Sequence, residues 1–216
     1  MKKTISIVLS LLLMGIFSPT LANTIKWSMP GDSLPLDPHA QNEGTTHMVS
    51  RQVYETLVTR VVDMSIEAQL ATSWEAKDPE TWVFTIRDGV VFSDGSSLKA
   101  SDVVFSINRA LTGASDMIEL IDSITSVKAT FNNQVEIKTE GPNPILLNQL
   151  SQIFIMSEAW SKKNGCEQSQ DFDASQETYC SINAMGTGPF KITLREQNTR
   201  TVFERNDNWW GDQSQH

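Results

Sequence analysis

The segment ATSWEAKDPETWVFTIRDGVVFSDGSSLKASDVVFSINRAL, residues 71–111, fixes the fold class. Asp78-Pro79-Glu80 reads as a turn, because proline presets φ and an acidic residue before it folds back on the backbone. On the return strand Trp82, Phe84 and Ile86 alternate with polar-facing neighbours, the period of a half-buried strand. Asp88-Gly89 and Asp94-Gly95 mark two further turns around "VVF". In "SDVVFSINRAL" the period changes, and Val103, Val104, Ile107 and Leu111 fall on one helical face. A hairpin feeding a helix is therefore expected here.

The same grammar continues outward. "SVKATF" and "QVEIKT" form a second hairpin turned at Asn132-Asn133, and Pro142 and Pro144 lead into a short apolar helix, "ILLNQL". Phe190–Leu194 and Thr201–Glu204 read as a third hairpin. Upstream, "TIKWSM" (24–29) reads as a strand with Ile25 and Trp27 on one face. "PGDSLPLDPHA" then forms an ordered loop, since three prolines and a glycine forbid regular structure. Val49, Val53 and Leu57, with Tyr54 beside them, read as a helical stripe. Hairpins separated by short helices give a mixed α/β (α+β) class. No strand–helix–strand series with phosphate-loop glycines is present, which disfavours a nucleotide domain.

Export is written at the N-terminus. Met1-Lys2-Lys3 precedes the apolar run Ile5–Phe17, and Thr20 and Ala22 fit a signal-peptidase site, giving a signal peptide over 1–22 and a mature start at Asn23. The apolar run is shorter than the roughly 20 residues a bilayer span needs. No cysteine follows the cleavage point, so the expected product is a periplasmic protein and not a lipoprotein. Of the 216 residues, 194 would remain, and the net charge of −9 would become −11 once two signal lysines go. An acidic chain without a polybasic run is a poor nucleic-acid partner. Cys166 and Cys180 are the two cysteines of the chain. In an oxidising compartment they are expected to pair, closing the polar loop "EQSQDFDASQETY" and contributing about 3 kcal/mol in the chain-entropy account. Two cysteines with no nearby histidine lack the ligands of a structural zinc site.

Catalytic signals are weak. His39, His47 and His216 are the three imidazoles, no Gly-x-Ser-x-Gly elbow occurs, and the acids are scattered on turns and polar faces. A metal site built from His39, His47, Asp37 and Glu43 would match no standard spacing, and both histidines read as surface residues. No metal, no cofactor and no catalytic residue is expected. "GTGPF" (186–190) is not a dinucleotide fingerprint. It reads equally as a tight turn into a strand or as a segment that a ligand or another strand can approach closely, glycine having no Cβ.

Taken together, "PLDPH" (35–39), "VYETLV" (53–58), the 71–111 block, "GTGPF" (186–190) and "NDNWWG" (206–211) resemble, in order, the family 5 extracellular solute-binding proteins. These are the peptide, dipeptide and nickel receptors of ABC importers. Where the family commonly opens its helix with Thr-Ala-Glu-Asp, this chain has Lys99-Ala100-Ser101-Asp102. Either Ser101 caps the helix or Asp102 complements its dipole without a reciprocal box.

The resemblance implies a type II periplasmic-binding-protein-like fold of two lobes with ligand enclosed between them. Residues 23–45 and 183–216 would form the main part of the first lobe, with 46–182 an inserted subdomain and the second lobe absent from this chain. Trp209 and Trp210 would pack within the first lobe, and Asp212–His216, where the resemblance fades, reads as an interruption. Ligand backbone would pair with exposed strand edges, and the acid that recognises a peptide amine would lie in the second lobe. The first-lobe surfaces expected to face ligand are Asn42, Glu43 and Gly44, and Gly186, Thr187 and Gly188. The implied function is substrate binding without catalysis by a monomer that delivers peptide or another small solute to an ABC permease. A stand-alone exported interaction or chaperone-like module and an exported hydrolase are the alternatives.

Overall fold

The computed structural model describes residues 24–212. The expected signal peptide lies outside them. The chain divides into two compact units, residues 1–30 and 31–216. In the first, residues 24–30 adopt neither helix nor strand. The strand expected over 24–29 is therefore not formed. Alternation is necessary for a strand but does not by itself supply a ladder partner.

The second unit begins with α1 (Gly44–Val53) and the short pair β1 (Val58–Arg60) and β2 (Ile66–Ala68). Val49 and Val53 bury one face of α1, but Leu57 lies beyond its end. The helix stops because Tyr54 turns extended at φ −108° and the Val53 carbonyl accepts the Gly188 N–H at 2.8 Å instead of continuing the helical ladder.

The 71–111 block folds as its patterns require. β3 (Ala71–Asp78) and β4 (Thr81–Ile86) make the hairpin, and α2 (Ala100–Ala110) follows. Gly89 and Gly95 hold φ of +76° and +86° at the two intervening turns, where a side chain would be strained. Next come α3 (Ile118–Ile121), β5 (Ile124–Thr130) and β6 (Gln134–Thr139). Asn132 and Asn133 are both left-handed at the β5–β6 turn. The antiparallel sheet has the order β3-β4-β6-β5. Its inner face (Phe84, Ile86, Val127, Val135, Ile137) packs with Val103, Ile107 and Ala110 of α2 in one core. At the start of α2, Asp102 accepts the Lys99 N–H at 2.8 Å, half of a capping box, while its other oxygen accepts the Glu158 N–H at 2.8 Å. Asp102, and not Ser101, organises this end.

Beyond the sheet lie α4 (Leu146–Leu150), α5 (Glu158–Lys163) and α6 (Tyr179–Ile182). The expected disulfide between Cys166 and Cys180 is formed, with Cα atoms 6.1 Å apart. It belongs to a second apolar cluster with Val53, Tyr54, Phe154 and Met156. The third hairpin is β7 (Phe190–Glu196) with β8 (Arg200–Arg205).

Candidate functional site

Two buried polar knots organise the loops on which the candidate residues stand. The first is centred on Arg109. Along α2, Asp102, Ser106 and Arg109 recur at the spacing of one helical face, and all three are buried beside Val103, Ile107 and Ala110. The Arg109 fork donates to both oxygens of Asp37, at 2.8 and 2.6 Å, with both side chains fully buried. Its Nε donates to the Cys166 carbonyl at 2.9 Å and its Nη2 to the Gln168 carbonyl at 2.8 Å.

His39 completes this knot and is fully buried, contrary to the surface position expected from its proline-rich loop. Its Nε2–H donates to the Phe154 carbonyl at 2.9 Å, leaving Nδ1 to accept from Arg109 at 3.1 Å. A carbonyl only accepts and a guanidinium only donates, so the tautomer follows. Burial, then the Arg109 charge, hold the imidazole pKa down to about 4. Burial pushes the Asp37 carboxyl up, but the Arg109 hydrogen bond and charge, with His39 and the Gln170 N–H, bring it below the usual range. His47 is also not a free surface residue: it packs edge-on against the Phe154 ring at 5.5 Å.

The second knot answers what the paired tryptophans pack against. Glu55 is buried between Tyr54 and Thr56. One oxygen accepts the Trp209 indole N–H at 3.2 Å; the other accepts the Trp210 N–H at 2.8 Å and the Thr187 hydroxyl at 2.7 Å. Arg87 stacks over Trp210, 4.1 Å from the ring centroid. Burial raises the Glu55 pKa against the pull of those three donors. "VYETLV", "GTGPF" and "NDNWWG" thus meet at one carboxylate.

Of the residues expected to face ligand, Asn42 and Gly44 are exposed, and Glu43 caps α1. The Glu43 carboxylate accepts the Thr45 N–H at 2.8 Å and the Thr46 N–H and hydroxyl. Burial opposes its ionisation, but these bonds prevail and lower its pKa. Gly186, Thr187 and Gly188 are buried. A Cβ on Gly186 would stand 2.2 Å from the Val53 carbonyl oxygen and one on Gly188 2.7 Å from the Val53 carbonyl carbon, so this segment is a close backbone seam. The two triplets lie at opposite ends of α1, about 15 Å apart for a helix of ten residues. Gly186→Ala is expected to cost about 2 kcal/mol in urea denaturation, because the obstructing atom is backbone and cannot yield. Gly141→Ala, with nothing within 4 Å of its Cβ, should stay within about 0.5 kcal/mol.

Residue patterns alone did not single out Arg109 or Glu55. The one local signal was polar residues at 102, 106 and 109 on an otherwise apolar helix face. Among the described residues no group of three or more His, Cys, Asp or Glu is placed to hold a metal ion, and no helix is long and apolar enough to cross a membrane.

The architecture is a mixed α/β fold of antiparallel hairpins and short helices, its loops pinned by buried polar knots. The model "Bacterial extracellular solute-binding proteins, family 5 Middle" matches residues 65–216, and the chain belongs to this family. Family members are transport receptors and not enzymes. The chain is 31% identical over 184 residues to the nickel-binding periplasmic protein of Escherichia coli (strain K12), covering 82% of this chain and 33% of that protein. It is 26% identical to the dipeptide-binding protein of the same organism, covering 96% of this chain and 42% of that one. NikA from Brucella suis, solved in complex with Fe(III)-EDTA, superposes with a TM-score of 0.72 at 27% identity, over 86% of this chain and 36% of its own. DppA from Helicobacter pylori, in complex with the peptide STSA, shares the fold with a TM-score of 0.71 at 24% identity, over 84% and 38%. The chain thus spans about a third to two fifths of the length of these relatives.

Proposed function

We propose that this chain is the first-lobe portion of the substrate-binding component of an ABC importer, with small peptides as the solute class. It would be exported, cleaved after Ala22, not lipidated, and monomeric until it meets its permease. In this reading residues 23–45 and 183–216 are main-lobe segments flanking the inserted subdomain 46–182. Asn42 to Gly44 meet the solute directly. Gly186 to Gly188 serve the same wall through the backbone seam at Val53. The observation that carries the reading is the 37–44 loop: its base is fixed by Asp37, His39 and Arg109, and its tip is exposed at Asn42. Relatives named for dipeptide and oligopeptide binding support a peptide solute.

One wall buries only part of a ligand, so contact should be weak, in the millimolar range or about −4 kcal/mol. The test is amide chemical-shift perturbation of the 216-residue chain titrated with tri-alanine. Shifts clustered at residues 41–45 are expected. Shifts confined to another face, or none at about 10 mM peptide, would overturn the assignment. Micromolar affinity would overturn the requirement for a second wall.

A further inference from the structure

The segment between the two cysteines is a strap across the base of the 37–44 loop, and its attachments are specific. The Cys166 and Gln168 carbonyls accept from Arg109 at 2.9 and 2.8 Å. The Gln170 N–H donates to Asp37 at 2.9 Å, and the Ser181 carbonyl, next to Cys180, accepts the Leu36 N–H at 2.8 Å. Both ends of the strap therefore grip Leu36, Asp37 and their partner Arg109. The strap holds itself poorly. Residues 167–177 form no helix or strand, Asp173 to Glu177 are exposed, and the Ser169 hydroxyl and Gln170 side-chain oxygen are buried without a hydrogen-bond partner. A stretch with so little internal bonding keeps a fixed course only if its ends are constrained. The disulfide supplies that constraint, with both cysteines buried beneath it.

We propose that the Cys166–Cys180 strap, acting through Arg109, is the positioning element of the loop that carries Asn42, with Arg109 as a positioning residue. Calling that loop ligand-facing rests on the proposed function; its dependence on the strap does not. Any solute would then meet a loop whose geometry is set by covalent closure some 130 residues downstream, as the separation of 133 between Asp37 and Gln170 conveys.

The test is backbone hydrogen exchange on the 216-residue chain, comparing wild type with the Cys166→Ser/Cys180→Ser double variant and with Arg109→Lys. The lysine keeps the charge but cannot make the fork to Asp37 together with bonds to two strap carbonyls. In both variants the amides of Leu36, His39 and Ala40 should exchange about ten- to a hundred-fold faster, over and above the acceleration that lost global stability imposes alike on β4 and β6. Acceleration at 36–40 no greater than that in the sheet would reveal a merely stabilising disulfide and overturn the proposal, as would unchanged exchange at 36–40. Should the double variant not fold, wild type reduced by dithiothreitol under native conditions provides the same comparison. Regional loosening without any tri-alanine shift in the parallel titration would sink the functional reading and leave this one standing.

Discussion

Arg109→Met should lower the unfolding free energy by about 3–5 kcal/mol, because it leaves the Asp37 carboxylate buried without its counter-charge. The pair is fully buried, and the fork also serves the Cys166 and Gln168 carbonyls and His39. Removing the guanidinium thus strands one anion, two carbonyls and an imidazole nitrogen together. Urea denaturation monitored by tryptophan fluorescence measures the loss. Asp37→Leu/Arg109→Met should recover more than half of it, since a buried pair replaced by apolar groups is often close to neutral. A single variant within about 1 kcal/mol of wild type, the range of an exposed ion pair, would show that the knot is not buried in solution.

The second large effect is acid lability at His39. Its folded pKa is about 4 against an ordinary 6.5. The unfolded chain therefore takes up a proton at a pH where the folded one refuses it. The stability His39 confers is complete above pH 6.5, shrinks as pH falls, and is gone near pH 4, a total of about 3 kcal/mol. Glu55 works in the opposite sense: its raised pKa favours the folded state at low pH, and that contribution fades as pH rises through its folded value. The readout must therefore be differential. The stability gap between wild type and His39→Gln should narrow steadily from pH 6.5 to pH 4, and a constant gap would show that the imidazole titrates normally. An NMR titration gives the direct form, with the His39 ring holding its neutral shifts down to about pH 4.

Local chemistry made the sheet legible. Alternation at Trp82, Phe84 and Ile86, the asparagine turn, and the change of period at Val103 each report a backbone geometry within a few residues. What escaped was decided by partners far along the chain. Arg109 meets Asp37 across 72 residues, and Glu55 meets Thr187 across 132. His39 was misplaced because a proline-rich loop ordinarily faces water, and only the distant guanidinium and the Phe154 carbonyl make its burial tolerable. Leu57 kept the helical period but not the helix, since Gly188 had claimed the carbonyl of Val53. Of the candidate residues, Asn42 to Gly44 lie where a loop meets a helix, which local pattern can report, whereas "GTGPF" left a tight turn and a close approach equally open until the distant Val53 carbonyl decided for the seam.

The Glu55 knot also governs timing. Its Trp210 contact spans 155 residues, so during synthesis the carboxylate is made that many residues before this indole donor. Until then the segment around Tyr54 carries a charge it cannot bury. Contacts of such separation close late and slow the approach to the native state. A nascent chain that has not yet reached Trp209 therefore lacks two of the three side-chain donors that the Glu55 carboxylate accepts in the folded chain.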